Sequence, residues 1–222
     1  MPPTIPTMRS GPLQFLSEGP EGFLVFALLA GALVVAIGLH EYAHALAADL
    51  QGDRLPRAMG RLTLNPIRHL DPLGTILLLL AGFGWGKPVE FRPEALSSRR
   101  FGAAIVALAG PMMNVALAIL GAVLYRLALA GNPPFFLEAF LGLFVRINVI
   151  LAVFNLLPIP PLDGSRLLTI FLPPGRQKII FFLDRFGFLI LIAIVFLMPW
   201  LLTPIIDFAL DLVLSLSGLS QA

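Results

Sequence analysis

The chain has 222 residues, of which 58% are hydrophobic and 13% charged, with a formal net charge of +2. A soluble domain of this length carries roughly a quarter charged residues, so the composition excludes an ordinary soluble globular protein and points to lipid. Cysteine is absent, which excludes disulfides, thiolate nucleophiles and cysteine-bound metals.

In chain order, residues 1–20 are rich in Pro and Gly and read as an N-terminal tail. They lack a basic run ahead of the apolar segment, so they do not read as a secretory signal. Residues 21–222 read as one intramembrane domain, with a core over 21–172 and additional C-terminal helices over 178–218. Apolar stretches recur at 23–48, 73–85, 101–130, 136–157, 179–198 and 200–217. About 20 helical residues cross a bilayer core. The expectation is an all-α polytopic membrane protein with about five to six transmembrane helices. The stretch 73–85 is too short to span and carries Gly82, Gly84, Gly86 and Pro88 at or just past its end. It reads as a re-entrant loop, a bend tolerated at membrane depth only where protein or water covers it.

Lys and Arg mark the cytoplasmic side. Residues 50–71 hold Arg54, Arg57, Arg61 and Arg68, and residues 87–100 hold Lys87, Arg92, Arg99 and Arg100. Arg166, Arg176 and Lys178 follow the fourth stretch, whereas "GNPPFF" (131–136) and "PWLLTP" (199–204) hold no basic residue. A re-entrant 73–85 puts every basic loop on one side. The expected placement is therefore a multi-pass protein of the cell membrane, with the N-terminus outside. The C-terminal ends of 23–48 and 136–157 then meet on the cytoplasmic side.

At the end of the first apolar run stands His40-Glu41-Tyr42-Ala43-His44, an HExxH pattern. Residues i and i+4 of a helix share a face, so both imidazoles can grip one metal ion. Glu41 is then placed to take a proton from the attacking water. Ionisable groups inside a span are costly and functional by default, although such groups also hydrogen-bond neighbouring helices. Catalytic zinc takes three protein ligands. The best remaining oxygen donor is Asp163 in "NLLPIPPLDG" (155–164), where Pro158, Pro160 and Pro161 stop the helix. An Asp-Gly pair is often only a turn, but the threading brings this one beside the histidines.

These segments resemble the site-2 protease family of intramembrane zinc metalloproteases, in its compact prokaryotic-type branch without PDZ or CBS domains. "HEYAHALAADLQGD" (40–53) resembles its first signature and "FNLLPIPPLDG" (154–164) its second. "GRLTLNPIRHLDPLGT", "GWGKPV" and "AGPMMN" are similar to segments between them, with Gly86 standing where many relatives have Ala. The resemblance implies Zn²⁺ held by His40, His44 and Asp163, with Glu41 as base. It also implies a substrate that is itself a transmembrane protein, cut in regulated intramembrane proteolysis, with lipid as surroundings and no nucleic acid. Asn155 is expected to touch substrate or water at the site. Asn114 reads chiefly as a helix-helix contact and His69 as a structural loop residue, each with a lesser place in the site. The mid-span Arg146 reads as snorkelling or helix pairing, and "PVEF" (88–91) as an edge for an extended substrate. Two other classes share the metal-binding pattern. A metal transporter would need further intramembrane carboxylates on a path; an inactive scaffold would have no use for Glu41.

Overall fold

The computed structural model describes residues 12–17, 19–81, 84–171 and 177–219. Most of the expected tail (1–11), Gly82 and Arg176 lie outside the described residues. The described chain is helical, with helices α1 (Gly19–Leu50), α2 (Leu55–Ala58), α3 (Pro72–Ala81), α4 (Arg99–Leu129), α5 (Phe135–Asn155), α6 (Ser165–Phe171), α7 (Gln177–Leu197) and α8 (Pro199–Leu216). Four of them, α1, α4 (from Phe101), α5 and α8, are long and apolar enough to cross a membrane. This is the polytopic all-α protein expected from the sequence.

The centre is a bundle of α1, α4 and α5. Leu29, Ala32, Leu33 and Ala36 of α1 pack against Leu143, Phe144 and Ile147 of α5. On the other side of α5, Val145 and Val149 meet Ala118 and Ala122 of α4 and Leu210 and Val213 of α8. Ala32, Ala36, Ala118 and Ala122 are fully buried. Alanines one turn apart let helix backbones approach closely, which is how bundles gain contact where lipid gives no hydrophobic drive. Pro111 lies inside α4, which continues through it to Leu129. The outer face of α8 leaves Trp200, Phe208 and Leu216 exposed, as suits a lipid-facing helix.

Helix α3 is 10 residues long, about 15 Å at the helical rise, and cannot cross a bilayer. The chain on either side of it closes up. Leu70 and Gly86 form an antiparallel bridge, and the Lys87 N–H donates to the His69 carbonyl at 2.7 Å. The excursion therefore returns to where it left, the hairpin that a re-entrant loop requires.

Both basic loops are tied to the end of α1. Asp49 is unfavourably placed in the last turn, where the helix dipole is negative. Arg54 and Arg57 fold over it at 2.9 and 2.7 Å. Asp53, fully buried, accepts from the backbone N–H of Leu55 and Arg92 at 3.0 and 2.6 Å, and from the Arg92 guanidinium at 2.9 Å. Burial pushes the Asp53 carboxyl up, but these donors outweigh it and hold it below the ordinary carboxylate range. The buried Arg61 guanidinium donates to the carbonyls of Arg68, Lys87 and Pro88, clamping the two arms of the hairpin.

Candidate metal centre

The helical repeat places His40 and His44 on one face of α1, against α4. Both are buried, and so is Glu41 between them. Helix α5 ends at Asn155, where the Pro-rich stretch cannot continue it. The Gly164 N–H then donates to the Asn155 carbonyl at 2.6 Å, which closes the loop 155–164 and presents Asp163. Its Oδ2 lies 3.1 Å from His40 Nε2 and 3.2 Å from His44 Nε2. The two Nε2 atoms are 3.0 Å apart.

The donor chemistry of this triangle fits a cation. His44 Nδ1 lies 2.6 Å from the Val106 carbonyl oxygen. That oxygen can only accept, so Nδ1 carries the proton and a neutral ring leaves Nε2 bare. His40 Nδ1 is likewise engaged, 2.6 Å from Asn114 Oδ1. Bare nitrogens and a carboxylate oxygen crowded together repel one another unless a positive ion lies among them. The spacing fits zinc. Bonds of roughly 2.0–2.1 Å in a tetrahedral site give ligand-ligand edges of about 3.3 Å, close to the 3.0–3.2 Å found.

The neighbouring backbone leaves room for this arrangement. Gly110 of α4 faces the two rings, and a Cβ there would collide with His44 Nε2 and come within 2.6 Å of His40 Nε2. On the other side, a Cβ on Gly86 would come within 2.9 Å of Ile37 Cγ2 and 3.2 Å of Glu41 Oε1. The hairpin arm thus runs directly past the carboxylate. Ile37, Leu70, Thr75 and Leu78 line a small apolar cavity one turn before Glu41.

The other expected residues sort differently. Asn114, fully buried, touches His40 and so stands at the centre, as well as between helices. Asn155 turns its side-chain amide back to the Leu151 carbonyl at 3.0 Å and contributes its own carbonyl to the Asp163 loop. His69 is buried in the hairpin, Nε2 at 2.8 Å from the Thr63 carbonyl. Burial holds its imidazole below the ordinary histidine range, opposed by the Thr63 carbonyl and reinforced by Arg61. Asn148 was not anticipated. It is fully buried on α5 and bonded to Asn114 at 2.9 Å. A single amide in an apolar run carries no periodic signal, so only the helix packing reveals it.

Comparison with known proteins agrees with this centre. The model of peptidase family M50 matches residues 28–134 and 132–198. A Bacillus subtilis protein named "Putative zinc metalloprotease YwhC" is 37% identical over 193 residues, covering 83% of this chain and 88% of its own. "Putative zinc metalloprotease Rip2" of Mycolicibacterium smegmatis is 34% identical over 191 residues, 82% of this chain and 70% of its own. Its Mycobacterium tuberculosis namesake is 34% identical over 183 residues, 80% and 69%. No solved structure matches significantly. With the family model and relatives matched over most of the chain agreeing, the chain belongs to peptidase family M50, the site-2 proteases, and is a zinc metalloprotease of the membrane.

Proposed function

We propose that this protease hydrolyses peptide bonds within transmembrane segments of other membrane proteins. In this reading His40, His44 and Asp163 hold the zinc, and Glu41 is the general base. The observation that carries it is the convergence of three donor atoms within 4.8 Å, two of them on the same helical turn as Glu41 and the third brought from the loop after α5, inside an apolar bundle.

Hydrolysis needs water, a base and charge stabilisation, none of which lipid provides. Zinc, when bound, supplies the Lewis acidity that activates water and polarises the scissile carbonyl. Glu41 accepts the proton of the attacking water and delivers it to the leaving amine. Val106 and Asn114 hold the imidazoles so that the same nitrogen of each faces inward. The hairpin shields the carboxylate through Gly86. Residues 88–91 belong to no helix or paired strand, which leaves backbone groups of Val89, Glu90 and Phe91 for an unwound substrate to pair with. The basic loops at that end of α1 support access from the cytoplasmic side. A transporter is disfavoured because Asp207 and Asp211 lie on the exposed face of α8, off any path through the centre.

The test is metal content together with cleavage. Purified native protein should hold about one zinc per chain, as a single site of this type requires, and cleave co-expressed tagged single-span proteins within the span. A His40→Ala, His44→Ala double variant should lose both. Metal content unchanged in the double variant would refute the ligand assignment.

A further inference from the structure

Behind His40 three side chains join three helices. His40 Nδ1 on α1 is 2.6 Å from Asn114 Oδ1 on α4. Asn114 Nδ2 donates to Asn148 Oδ1 on α5 at 2.9 Å, and more weakly to the Ala36 carbonyl at 3.4 Å. Asn148 Nδ2 donates to the Phe144 carbonyl, one turn back on its own helix, at 2.8 Å. Both asparagines are fully buried, and Asn148 stands between the core residues Ile147 and Val149. Two amides in the middle of a bundle are costly unless every group is engaged, and nothing in the packing there calls for polarity.

We propose that Asn148 is a positioning residue that fixes the tautomer and orientation of His40 through Asn114, and so sets the affinity of the centre for zinc. The direction of the relay follows from its far end. The Phe144 carbonyl can only accept, so the nitrogen of Asn148 must face it and its oxygen must face Asn114. Asn114 therefore presents nitrogen to Asn148 and oxygen to His40. An amide oxygen can only accept in turn, so His40 Nδ1 carries a proton. The lone pair of the neutral ring is left on Nε2, which faces His44 and Asp163. On His44 the Val106 carbonyl does the same job directly. His40 Nδ1 meets the Asn114 amide in that place, and the two amides carry the polarity from a helix carbonyl on α5 instead. Ligand partners of this kind typically change metal affinity 10–100-fold when removed.

This inference rests on His40 being a zinc ligand, and the experiment separates the two claims. Zinc affinity is measured in detergent by competition with a chromophoric chelator, for the native protein and for Asn114→Leu, Asn148→Leu and the double variant. The cobalt-substituted absorption spectrum is recorded on each. Asn148→Leu should bind zinc 10–100-fold more weakly and shift the cobalt bands, although the hydrogen bonds of Asn148 go to Asn114 and Phe144 and not to the metal ligands. The double variant should be no worse than Asn114→Leu alone, because the relay is broken once in either case. Asn148→Asp, which when protonated can repeat both hydrogen bonds, should recover most of the loss. Should the leucine variant fail to fold, Asn148→Ser carries the same expectation: its hydroxyl can return to the Phe144 carbonyl but is too short to reach Asn114. Zinc affinity within twofold of native in a folded Asn148→Leu or Asn148→Ser protein would overturn the relay while leaving the ligand assignment intact. A native protein that binds no zinc would overturn both.

Discussion

Gly110 of α4 and His44 of α1 meet so closely that a single added carbon on the glycine would collide with Nε2 of the imidazole. That carbon would also lie 2.6 Å from His40 Nε2. Gly110→Ala should therefore displace one ring or part the two helices. We expect zinc affinity to fall by at least tenfold, the scale on which imidazole orientation matters, with proteolysis falling in step. Zinc competition and circular dichroism on the same sample would check that the bundle survives. Native affinity in the alanine variant would contradict the packing described.

Arg61 holds the hairpin by donating to three carbonyls on both of its arms. Arg61→Lys keeps the charge but cannot reproduce a planar fork of donors. Hydrogen bonds from charged groups contribute about 1.5–3 kcal/mol each, so loss of even one is measurable in unfolding experiments. The lysine variant should be less stable and more rapidly nicked by protease between residues 60 and 91. An unchanged digestion pattern would contradict the clamp.

His69 predicts a pH effect. Its Nε2–H donates to Thr63, and Nδ1 is buried without a partner among the described residues. Protonation would bury a charge with nothing to receive it, in keeping with a folded pKa depressed from the ordinary 6.5. A depressed pKa contributes stability above the unfolded value and loses it as pH falls. The melting temperature of native protein should therefore drop as pH goes from 7 toward 5. His69→Gln, which can still donate to Thr63 but does not titrate, should show a shallower drop. Equal slopes would assign the pH dependence to other groups.

These cases show what the sequence could tell. His40, Glu41 and His44 were legible because helical spacing is local and the residues are rare in an apolar run. Asp163 was legible only through topology, since it lies 119 residues from His44. The re-entrant hairpin followed from charge distribution and shortness. Asn148 and the clamp of Arg61 were not legible. The first is one amide among aliphatics, and the second counted only as one more cytoplasmic charge. Their roles depend on which carbonyls they reach after packing. Asn155 was expected at the active site; its amide nitrogen bonds the Leu151 carbonyl and its own carbonyl closes the loop that presents Asp163.

The topology can be tested independently of activity. The chain lacks cysteine, so Arg57→Cys and Arg92→Cys provide unique labels on the two loops that flank the hairpin. An impermeant thiol reagent should reach both from the cytoplasmic face only. Labelling from opposite faces would show that α3 lies in a segment that crosses, against the return indicated by the Leu70–Gly86 bridge.

The most direct test of the central claim is Glu41→Gln, with zinc content and cleavage of a tagged single-span substrate measured on one preparation. Gln is nearly isosteric with Glu, and Glu41 is assigned as base and not ligand, so His40, His44 and Asp163 should keep about one zinc per chain, as such a site requires. The amide cannot take the proton of the attacking water, and loss of that step should lower the rate on the order of a hundredfold or more. A silent, zinc-loaded variant beside an active native enzyme is the predicted result. A Glu41→Gln protein that cleaves at the native rate would contradict the account.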